Sequence, residues 1–264
     1  MKKWEQRRLL LLEELTKHGR LSIAEIQTLL NISESTARRL VIELERENCL
    51  IRRFGGVQKI EPASPKYSYE ATQDSYPEEK KQIGIYAANL IENGDVIFLS
   101  GGSTVKYMAL SLAERLKNKE VSDISVITNS LVSAEVLTDY TEVIMPGGIY
   151  RRTLEVLDGG LTEKNLRKMC FTKAFFGAVA IDAAEGFMTS DIATNSINEV
   201  VLSRAVSFYV LADVSKFYKH SFISYAPVRT AAGIITDSLP DQSVYDAIIK
   251  QEGRLVNANR ESNG

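Results

Sequence analysis

The stretch SESTARRLVIEL at Ser33–Leu44 predicts a helix whose apolar and basic side chains lie on opposite faces. The apolar positions follow the i, i+3, i+4, i+7 spacing of one buried stripe, and they are Ala37, Leu40, Val41 and Leu44. The polar positions flank that stripe or point away from it, and they are Ser35, Thr36, Arg38 and Arg39. Ser33 precedes the helix as its N-cap. A short helix with hydroxyl and guanidinium groups on its free face is typical of a helix that reads the DNA major groove.

The residues on either side of this stretch complete a winged helix-turn-helix pattern. Residues 1–18 read as a first helix, and Ser22 and Glu25 form a capping box at the start of a second one. A tight turn at residues 31–32 leads into the third helix. Residues 48–57 read as a basic β-hairpin, the wing, in which Arg52 and Arg53 would add contacts to the phosphate backbone.

The charge distribution agrees with a nucleic-acid partner for this region. Residues 1–60 carry 12 Lys and Arg against 8 Asp and Glu, a net charge of +4, whereas the whole chain is at −2. A basic head on an acidic body indicates a surface for the phosphate backbone. Because +4 is modest, we expect a homo-oligomer, a dimer or tetramer, to bind DNA. The alternatives are a domain with ordinary surface arginines and a helix-turn-helix used only for protein contacts.

Length and composition exclude several other classes of protein. The 264 residues are 44% hydrophobic, enough to build two domains. No apolar run is long enough to span a bilayer, and no signal region follows the N-terminus, so we expect no membrane partner and a cytoplasmic location. Cys49 and Cys170 lie far apart in sequence, which argues against a disulfide framework and a zinc site.

The sequence as a whole predicts four regions. They are a winged helix-turn-helix at 1–57, a polar linker at 58–77, an α/β domain at 78–250 and a polar, frayed tail at 251–264. In the α/β domain, short apolar runs alternate with helical segments. These runs are 96–99, 124–128, 143–145, 173–181, 207–211 and 232–236. Such alternation predicts a Rossmann-like, mostly parallel sheet covered on both faces.

Polar or glycine-rich loops follow successive predicted strands. Since ligands of such sheets bind beyond the carboxyl ends of the strands, these loops predict a binding pocket. Its candidate residues are Ser100, Gly101, Gly102, Ser103, Thr104, Thr128, Asn129, Gly147, Gly148, Asp182, Gly186 and Lys216. Glycines permit close backbone approach, hydroxyls donate, and a helix N-terminus favours an anion. A small phosphorylated sugar fits this description.

Motifs for other chemistry are missing from the sequence. We find no P-loop and no dinucleotide fingerprint, and we expect no cofactor, no metal and no catalytic residue. The competing interpretation is a phosphosugar isomerase or deaminase with an accessory head. That enzyme would need a general base in the pocket, for which Asp182 and Glu199 are the candidates.

With these residues in view, the chain resembles the DeoR family of bacterial transcription regulators over nearly its full length. The residues of the head that match the family pattern are Gly19, Ser22, Glu25, Ser33, Thr36, Arg38, Arg39, Glu45, Gly55 and Gly56. The matching residues of the body include Gly102–Thr104, Thr128–Ser130, Gly147, Gly148, Asp182, Gly186 and Asp213–Lys216. The resemblance implies a sensor domain similar in fold to ribose-5-phosphate isomerase. It also implies oligomeric binding to operator DNA, usually repression, and release when a sugar phosphate binds.

Two departures from the family pattern carry expectations of their own. Ser100 stands where the family usually has Asp, so the ligand is expected to differ or to bind more weakly. Leu40 replaces a common Asp, which predicts one fewer negative charge facing DNA.

Overall fold

The computed structural model describes residues 3–47, 49–53, 55–59 and 68–259. It divides into two compact units, which we call the head, residues 1–63 with 242–247, and the sheet unit, residues 64–241 with 248–264. No helix among the described residues is long and apolar enough to cross a membrane.

The head has the predicted winged helix-turn-helix architecture. Its elements are α1 Lys3–His18, β1 Arg20–Ser22, α2 Ile23–Leu30, α3 Glu34–Arg46, β2 Leu50–Arg53 and β3 Gly56–Lys59. The wing strands β2 and β3 pair antiparallel, and β1 adds to the outer side of β3. The sequence did not predict β1, and β3 runs two residues beyond the predicted end of the head at 57. Asn48 and Phe54 of the predicted wing lie outside the described residues.

Caps and turns fix the order of the three helices. The capping box is present, because the Glu25 amide donates to Ser22 Oγ at 3.2 Å and the Ser22 amide donates to Glu25 Oε2 at 2.7 Å. Asn31 adopts a left-handed conformation, φ 47°, and ends α2 two residues before the N-cap of α3. The core of the head then contains the predicted α3 stripe at full burial.

The sheet unit and the C-terminal helix follow in chain order. Their elements are α4 Tyr69–Gln73, α5 Pro77–Asn89, β4 Val96–Leu99, α6 Ser103–Lys117, β5 Ser125–Thr128, α7 Leu131–Leu137, β6 Val143–Ile144, β7 Ile149–Arg151, β8 Val156–Asp158, α8 Gly160–Leu166, β9 Phe171–Gly177, β10 Ala180–Asp182, β11 Gly186–Thr189, α9 Ile192–Leu202, β12 Ala205–Leu211, β13 Ile223–Ala226, β14 Gly233–Thr236, α10 Gln242–Lys250 and β15 Leu255–Asn257. Two 3-10 turns, Val214–Tyr218 and Val228–Thr230, flank β13.

Seven strands form one parallel sheet in the order β15-β14-β12-β9-β4-β5-β6. The strand order reverses between β4 and β9. The strands β5 and β6 follow β4 on one side, and the strands β12, β14 and β15 follow β9 on the other. A crevice therefore opens beyond the carboxyl ends of these two strands. This arrangement confirms the predicted parallel α/β fold. A hairpin, β7–β8, and a small antiparallel sheet, β10-β11-β13, lie outside the main sheet.

Three local predictions are wrong. The single predicted strand at 173–181 is two strands, because β9 ends at Gly177 and β10 pairs with β11 in the small sheet. The predicted linker contains the end of β3 and the helix α4, and its residues 60–67 lie outside the described part of the chain. In the predicted frayed tail, β15 pairs with β14 as the edge strand of the main sheet.

Candidate functional site

The free face of α3 begins with a cluster of hydroxyl groups. Ser33 Oγ accepts the Thr36 amide at 3.4 Å as the N-cap. The same oxygen lies 3.0 Å from Ser35 Oγ and 2.9 Å from Thr36 Oγ1. Capping therefore holds the three predicted hydroxyl groups together at the N-terminal end of α3, the end that contacts base edges in helix-turn-helix proteins.

Arg38 lies along the exposed surface of α3. Its guanidinium pairs with Glu34 one turn earlier, with Nη2 2.6 Å and Nε 2.8 Å from Glu34 Oε1. Both side chains are more than half exposed. An exposed pair of this kind contributes at most about 1 kcal/mol. Arg38 can therefore exchange Glu34 for a phosphate or a guanine edge at little cost.

Arg39 is oriented differently from the sequence expectation. Its guanidinium carbon lies 5.5 Å from the centre of the Trp4 ring on α1, while Trp4 Nε1 donates to Glu43 Oε1 at 3.1 Å. The side chain is exposed but directed towards α1, not straight away from the buried stripe. This cation–π contact favours a position of the guanidinium over the Trp4 ring of α1.

The wing contributes a second guanidinium next to α3. Arg52 Nε lies 3.2 Å from Glu45 Oε2. Together with Arg38 it borders a notch of about 350 Å³ between α3 and the wing, also lined by Ile23, Val41, Ile42, Gly55 and Gly56. The side chain of Arg53 lies outside the described residues. The structure thus brings Arg38 and Arg52 to one place on the head.

The expectation attached to Leu40 is wrong. Leu40 is fully buried in the core of the head with Ala37, Val41 and Leu44. The side chain at this position faces the core, so its replacement of an Asp removes no charge from the free face of α3. A leucine there is explained by packing alone.

In the sheet unit, an open cavity of about 790 Å³ lies beyond the carboxyl ends of β4 and β9. Its lining residues are Ser100, Gly101, Gly102, Ser103, Thr104, Asn129, Leu154, Val156, Gly177, Ala178, Val179, Thr189, Asp191, Thr194, Ile197, Asn198 and Lys216. They come from the loop before α6, the residue after β5, the β7–β8 hairpin, the segment from the end of β9 to β10, the end of β11, the start of α9 and the first 3-10 turn.

The loop between β4 and α6 forms one end of this cavity. Gly102 precedes the helix with φ 133°, a conformation that L side chains rarely adopt. At Gly101, a Cβ would lie 2.3 Å from Val156 Cγ1 of the hairpin, which only glycine avoids. The α6 N-terminus opens directly onto the loop, and the first-turn amides of a 15-residue helix favour an anion.

Ser100 has a structural role in this loop. Its Oγ accepts the Gly177 amide at 3.3 Å and donates to the Gly101 carbonyl at 3.2 Å. The bond from Gly177 ties the end of β4 to the end of β9, and the bond to Gly101 stays within the loop. A hydroxyl at this position both donates and accepts a hydrogen bond, whereas an ionised carboxylate could only accept.

Lys216 supplies a positive charge to the cavity. Its side chain is only 13% exposed, and its Nζ lies 3.7 Å from Asp213 Oδ2. Burial lowers the pKa of Lys216, and the negative charge of Asp213 opposes that shift. A bound anion would relieve the cost of burying this ammonium group.

Asn129 lines the cavity, and its amide has an acceptor that is not used. Its Nδ2 donates to the Leu157 carbonyl at 3.1 Å, which orients the amide. Its Oδ1 is buried and accepts no hydrogen bond from the described residues. Since a buried polar atom without a partner costs about 1–3 kcal/mol, a ligand hydroxyl at this oxygen would be favourable.

Five of the predicted pocket residues do not line the cavity. Thr128 is fully buried, and its Oγ1 donates to the Leu99 carbonyl at 2.7 Å. Asp182 accepts the amides of Ala184 and Glu185 in the turn between β10 and β11. The three glycines permit close packing elsewhere: a Cβ would meet Thr162 at Gly148 and Ala226 at Gly186, while Gly147 lies near Leu161.

The sequence interpretation missed the wall made by α9. Asp191 caps this helix by accepting the Thr194 amide at 2.8 Å, and Arg151 Nη2 donates to its other oxygen at 3.0 Å. Aspartate is a preferred N-cap residue, so Asp191 directly before a helical segment was a signal of this cap in the sequence. The position of Asn198 one turn further on was not readable, because it depends on how the small sheet places α9.

The candidate general bases of an enzyme lie elsewhere. Asp182 is engaged in its turn, and Glu199 Oε1 accepts from Asn195 Nδ2 at 2.8 Å. Neither lines the cavity. Asp191, the carboxylate in the described lining, is held by the α9 cap and by Arg151.

A winged helix-turn-helix head joined to an α/β unit with a small-molecule cavity defines a ligand-responsive DNA-binding regulator. The comparisons agree with this class. A family model described as the DeoR-like helix-turn-helix domain matches residues 7–63, and one described as the DeoR C-terminal sensor domain matches residues 75–238. The chain belongs to the DeoR family of transcriptional regulators, and we now call the sheet unit the sensor unit.

Relatives match over nearly the whole chain. The HTH-type transcriptional repressor GlcR of Bacillus subtilis (strain 168) is 32% identical over 96% of this chain and 95% of that protein. The lactose phosphotransferase system repressor of Streptococcus mutans is 33% identical over 88% of this chain and 93% of that protein. Among solved structures, ribose 5-phosphate isomerase A from Methanocaldococcus jannaschii overlaps 54% of this chain and 55% of its own, at 21% identity and a TM-score of 0.41.

Proposed function

We propose that the protein is a repressor of a carbohydrate-metabolism operon whose operator binding is modulated by a phosphorylated sugar in the sensor cavity. The observation that carries this proposal is the cavity beyond β4 and β9, where a helix N-terminus, a buried lysine and an unsatisfied amide oxygen meet. The names of GlcR and of the lactose phosphotransferase system repressor support repression and a link to sugar metabolism.

The phosphate group is assigned to the α6 end of the cavity. The backbone amides at Gly102–Thr104 and the Lys216 ammonium supply donors and positive charge. The close fit of Gly101 against the hairpin leaves backbone rather than side chain facing the ligand. Glycine-rich loops that open a helix hold phosphates in this way.

The sugar hydroxyls are assigned to the amide side chains of the cavity. Asn129 Oδ1 accepts one hydroxyl, and Asn198, 4% exposed, lines the same cavity. The apolar part of the lining comes from Leu154, Val156 and Ile197 and would cover the carbon face of a sugar. Few polar groups in a mostly apolar cavity are the usual basis of small-molecule specificity.

The head is assigned to operator DNA. Ser33, Ser35, Thr36, Arg38 and Arg39 would contact bases and phosphates, and Arg52 and Arg53 would contact the backbone. The support is the exposed hydroxyl and guanidinium face of α3 and the net charge of +4 over residues 1–60. We place the protein in the cytoplasm with its operator, as a homo-oligomer and without enzymatic activity.

Fluorescence anisotropy with the chain's own upstream DNA tests the DNA side. We expect specific binding that weakens as salt rises, and Arg38→Ala should reduce the salt slope by about 1 and the affinity by about 1–3 kcal/mol. Arg167→Ala is the matched control, because Arg167 forms a similar exposed i,i+4 pair with Glu163 in the sensor unit. Equal losses in the two variants, or no salt-sensitive binding by the wild type, would contradict the proposal.

Isothermal titration calorimetry tests the sensor side. The panel is glucose 6-phosphate, fructose 1-phosphate, fructose 6-phosphate and ribose 5-phosphate, with inorganic phosphate and the free sugars as references. We expect a phosphorylated sugar to bind, to reduce operator affinity and to remain chemically unchanged. Lys216→Met should weaken its binding by at least about tenfold. Turnover of any panel member would instead support the enzyme.

A further inference from the structure

A fully buried lysine lies outside both the cavity lining and the DNA-binding face. Lys80, on α5, is 1% exposed, and its Nζ donates to the Thr72 carbonyl of α4 at 2.5 Å. Burial lowers the pKa of Lys80 to about 8, Asp213 and Asp74 oppose this shift, and Lys216 and Lys219 add to it. Because burying a charge is costly, a lysine at this position needs a nearby negative charge or acceptor to offset the cost of its burial.

The negative charge of Asp213 is the largest influence opposing the lowered pKa of Lys80, although no hydrogen bond or ion pair within 4 Å joins these two described side chains. Asp213 is 1% exposed, and its Oδ1 accepts the Ser215 amide at 3.1 Å. Its Oδ2 faces Lys216 Nζ at 3.7 Å and receives no hydrogen bond from the part of the chain that the structure describes. Asp213 therefore forms an ion pair with the lysine that lines the cavity and acts on Lys80 through the field of its charge alone.

The helix that Lys80 binds is also attached to the wall of the cavity. The Tyr69 amide, in the first turn of α4, donates to the Thr153 carbonyl at 2.9 Å. Thr153 belongs to the turn of the β7–β8 hairpin, and its neighbour Leu154 lines the cavity. In the chain, α4 is the first described element after β3, the last strand of the head.

We propose that α4, held by Lys80 and by the Thr153 carbonyl, is the element through which an anion bound at Lys216 acts on the DNA-binding head. This inference rests on the proposed function, because it requires a phosphorylated effector in the cavity. The anion competes with Asp213 for the Lys216 ammonium. Asp213 then attracts Lys80 more strongly, and the bond from Lys80 to α4 weakens. The effector thus binds more tightly when the bond from Lys80 to α4 is weakened than when it is intact. Such a difference in binding free energy is what coupling between the cavity and the head requires.

Lys80→Met tests the inference, because methionine keeps the length of the side chain and removes its charge. Lys81→Met is the matched control, since Lys81 is the next residue of α5 and is exposed. Effector affinity is measured by calorimetry with the phosphosugar panel, and operator affinity by anisotropy with and without the effector. We expect the wild type and Lys81→Met to lose operator affinity by about tenfold or more on effector binding. Lys80→Met should bind the effector within about threefold of the wild type and change its operator affinity by less than about threefold.

The possible failures are distinguishable. If Lys80→Met releases the operator as the wild type does, the inference is wrong and the proposed function stands. If no panel member binds the wild type, the proposed function fails and the inference falls with it. Hydrogen–deuterium exchange on the wild type decides the case in which Lys80→Met does not fold. The amides of residues 69–74 should then exchange faster when the effector is bound, and an unchanged rate would overturn the inference.

Discussion

Gly101 is a residue at which the proposed effector site leaves no space for a side chain. Any Cβ there would lie 2.3 Å from Val156 Cγ1. Gly101→Ala should displace the hairpin into the cavity and weaken effector binding by at least about tenfold, or 1.4 kcal/mol, in calorimetry with the phosphosugar panel.

A second substitution and a control separate this contact from a general loss of folding. Val156→Ala removes the atom that clashes and should restore binding to Gly101→Ala. Gly160→Ala should leave binding unchanged, because no atom lies within 4 Å of its added Cβ. Full effector affinity in Gly101→Ala alone would show that the hairpin does not border the ligand.

The cavity residues that the sequence predicted are those next to a strand–loop–helix signal. The Ser100–Thr104 loop follows β4 and opens α6, and both elements have clear periodicity. Asp182 was misplaced for a physical reason. The sequence analysis treated residues 173–181 as a single strand, which placed Asp182 at the carboxyl end of a strand of the main sheet. In the structure, the chain leaves the main sheet after β9 and enters the small antiparallel sheet. Pairing between distant strands, which places α9 beside the cavity, leaves no local pattern.

Among the elements, β15 is the one whose structural role differs most from its sequence. Residues 255–257 lie in a polar segment, yet they pair with β14, and Ala258, only 1% exposed, follows in the core. A chain ending at Gly253 should lose about 2–4 kcal/mol of unfolding free energy through lost burial and ladder bonds, measured by urea denaturation. A chain ending at Asn259 keeps the strand and serves as the control.

The long elements were predictable because their patterns are local. The helix α3 begins directly after its predicted N-cap, Ser33, and ends two residues beyond the predicted stretch, and the strand β4 has the predicted bounds. Strands of three residues, such as β1 and β15, contain too few positions to show an alternation. The neighbouring strand decides whether such a segment pairs. If the two truncated chains were equally stable, this account of β15 would be wrong.

At the scale of the whole molecule, the burial of Lys80 predicts how stability depends on pH. Its pKa in the folded chain is about 8, against 10.5 for an unperturbed lysine. Between these values the Lys80 side chain binds more protons in the unfolded chain, so its own contribution to the unfolding free energy rises with pH, by about 1–3 kcal/mol across the window. Lys216 shifts in the same direction, and the difference between wild type and Lys80→Met isolates Lys80.

Urea unfolding at pH 7.5 and pH 10 measures this difference. The unfolding free energy of the wild type relative to that of Lys80→Met should increase with pH, because the cost of burying the ammonium group disappears as this group loses its proton. Lys81→Met should follow the wild type at both values. An equal pH dependence in wild type and Lys80→Met would mean that Lys80 keeps an ordinary pKa.

The two edges of the main sheet have a consequence for the behaviour of the protein in concentrated solution. The edge strands are β6, with two residues, and β15, with three. An edge this short offers few unpaired backbone groups to a strand from another chain. The main sheet is therefore protected against edge-to-edge aggregation, and self-association of the regulator is not expected to extend this sheet from one chain into another.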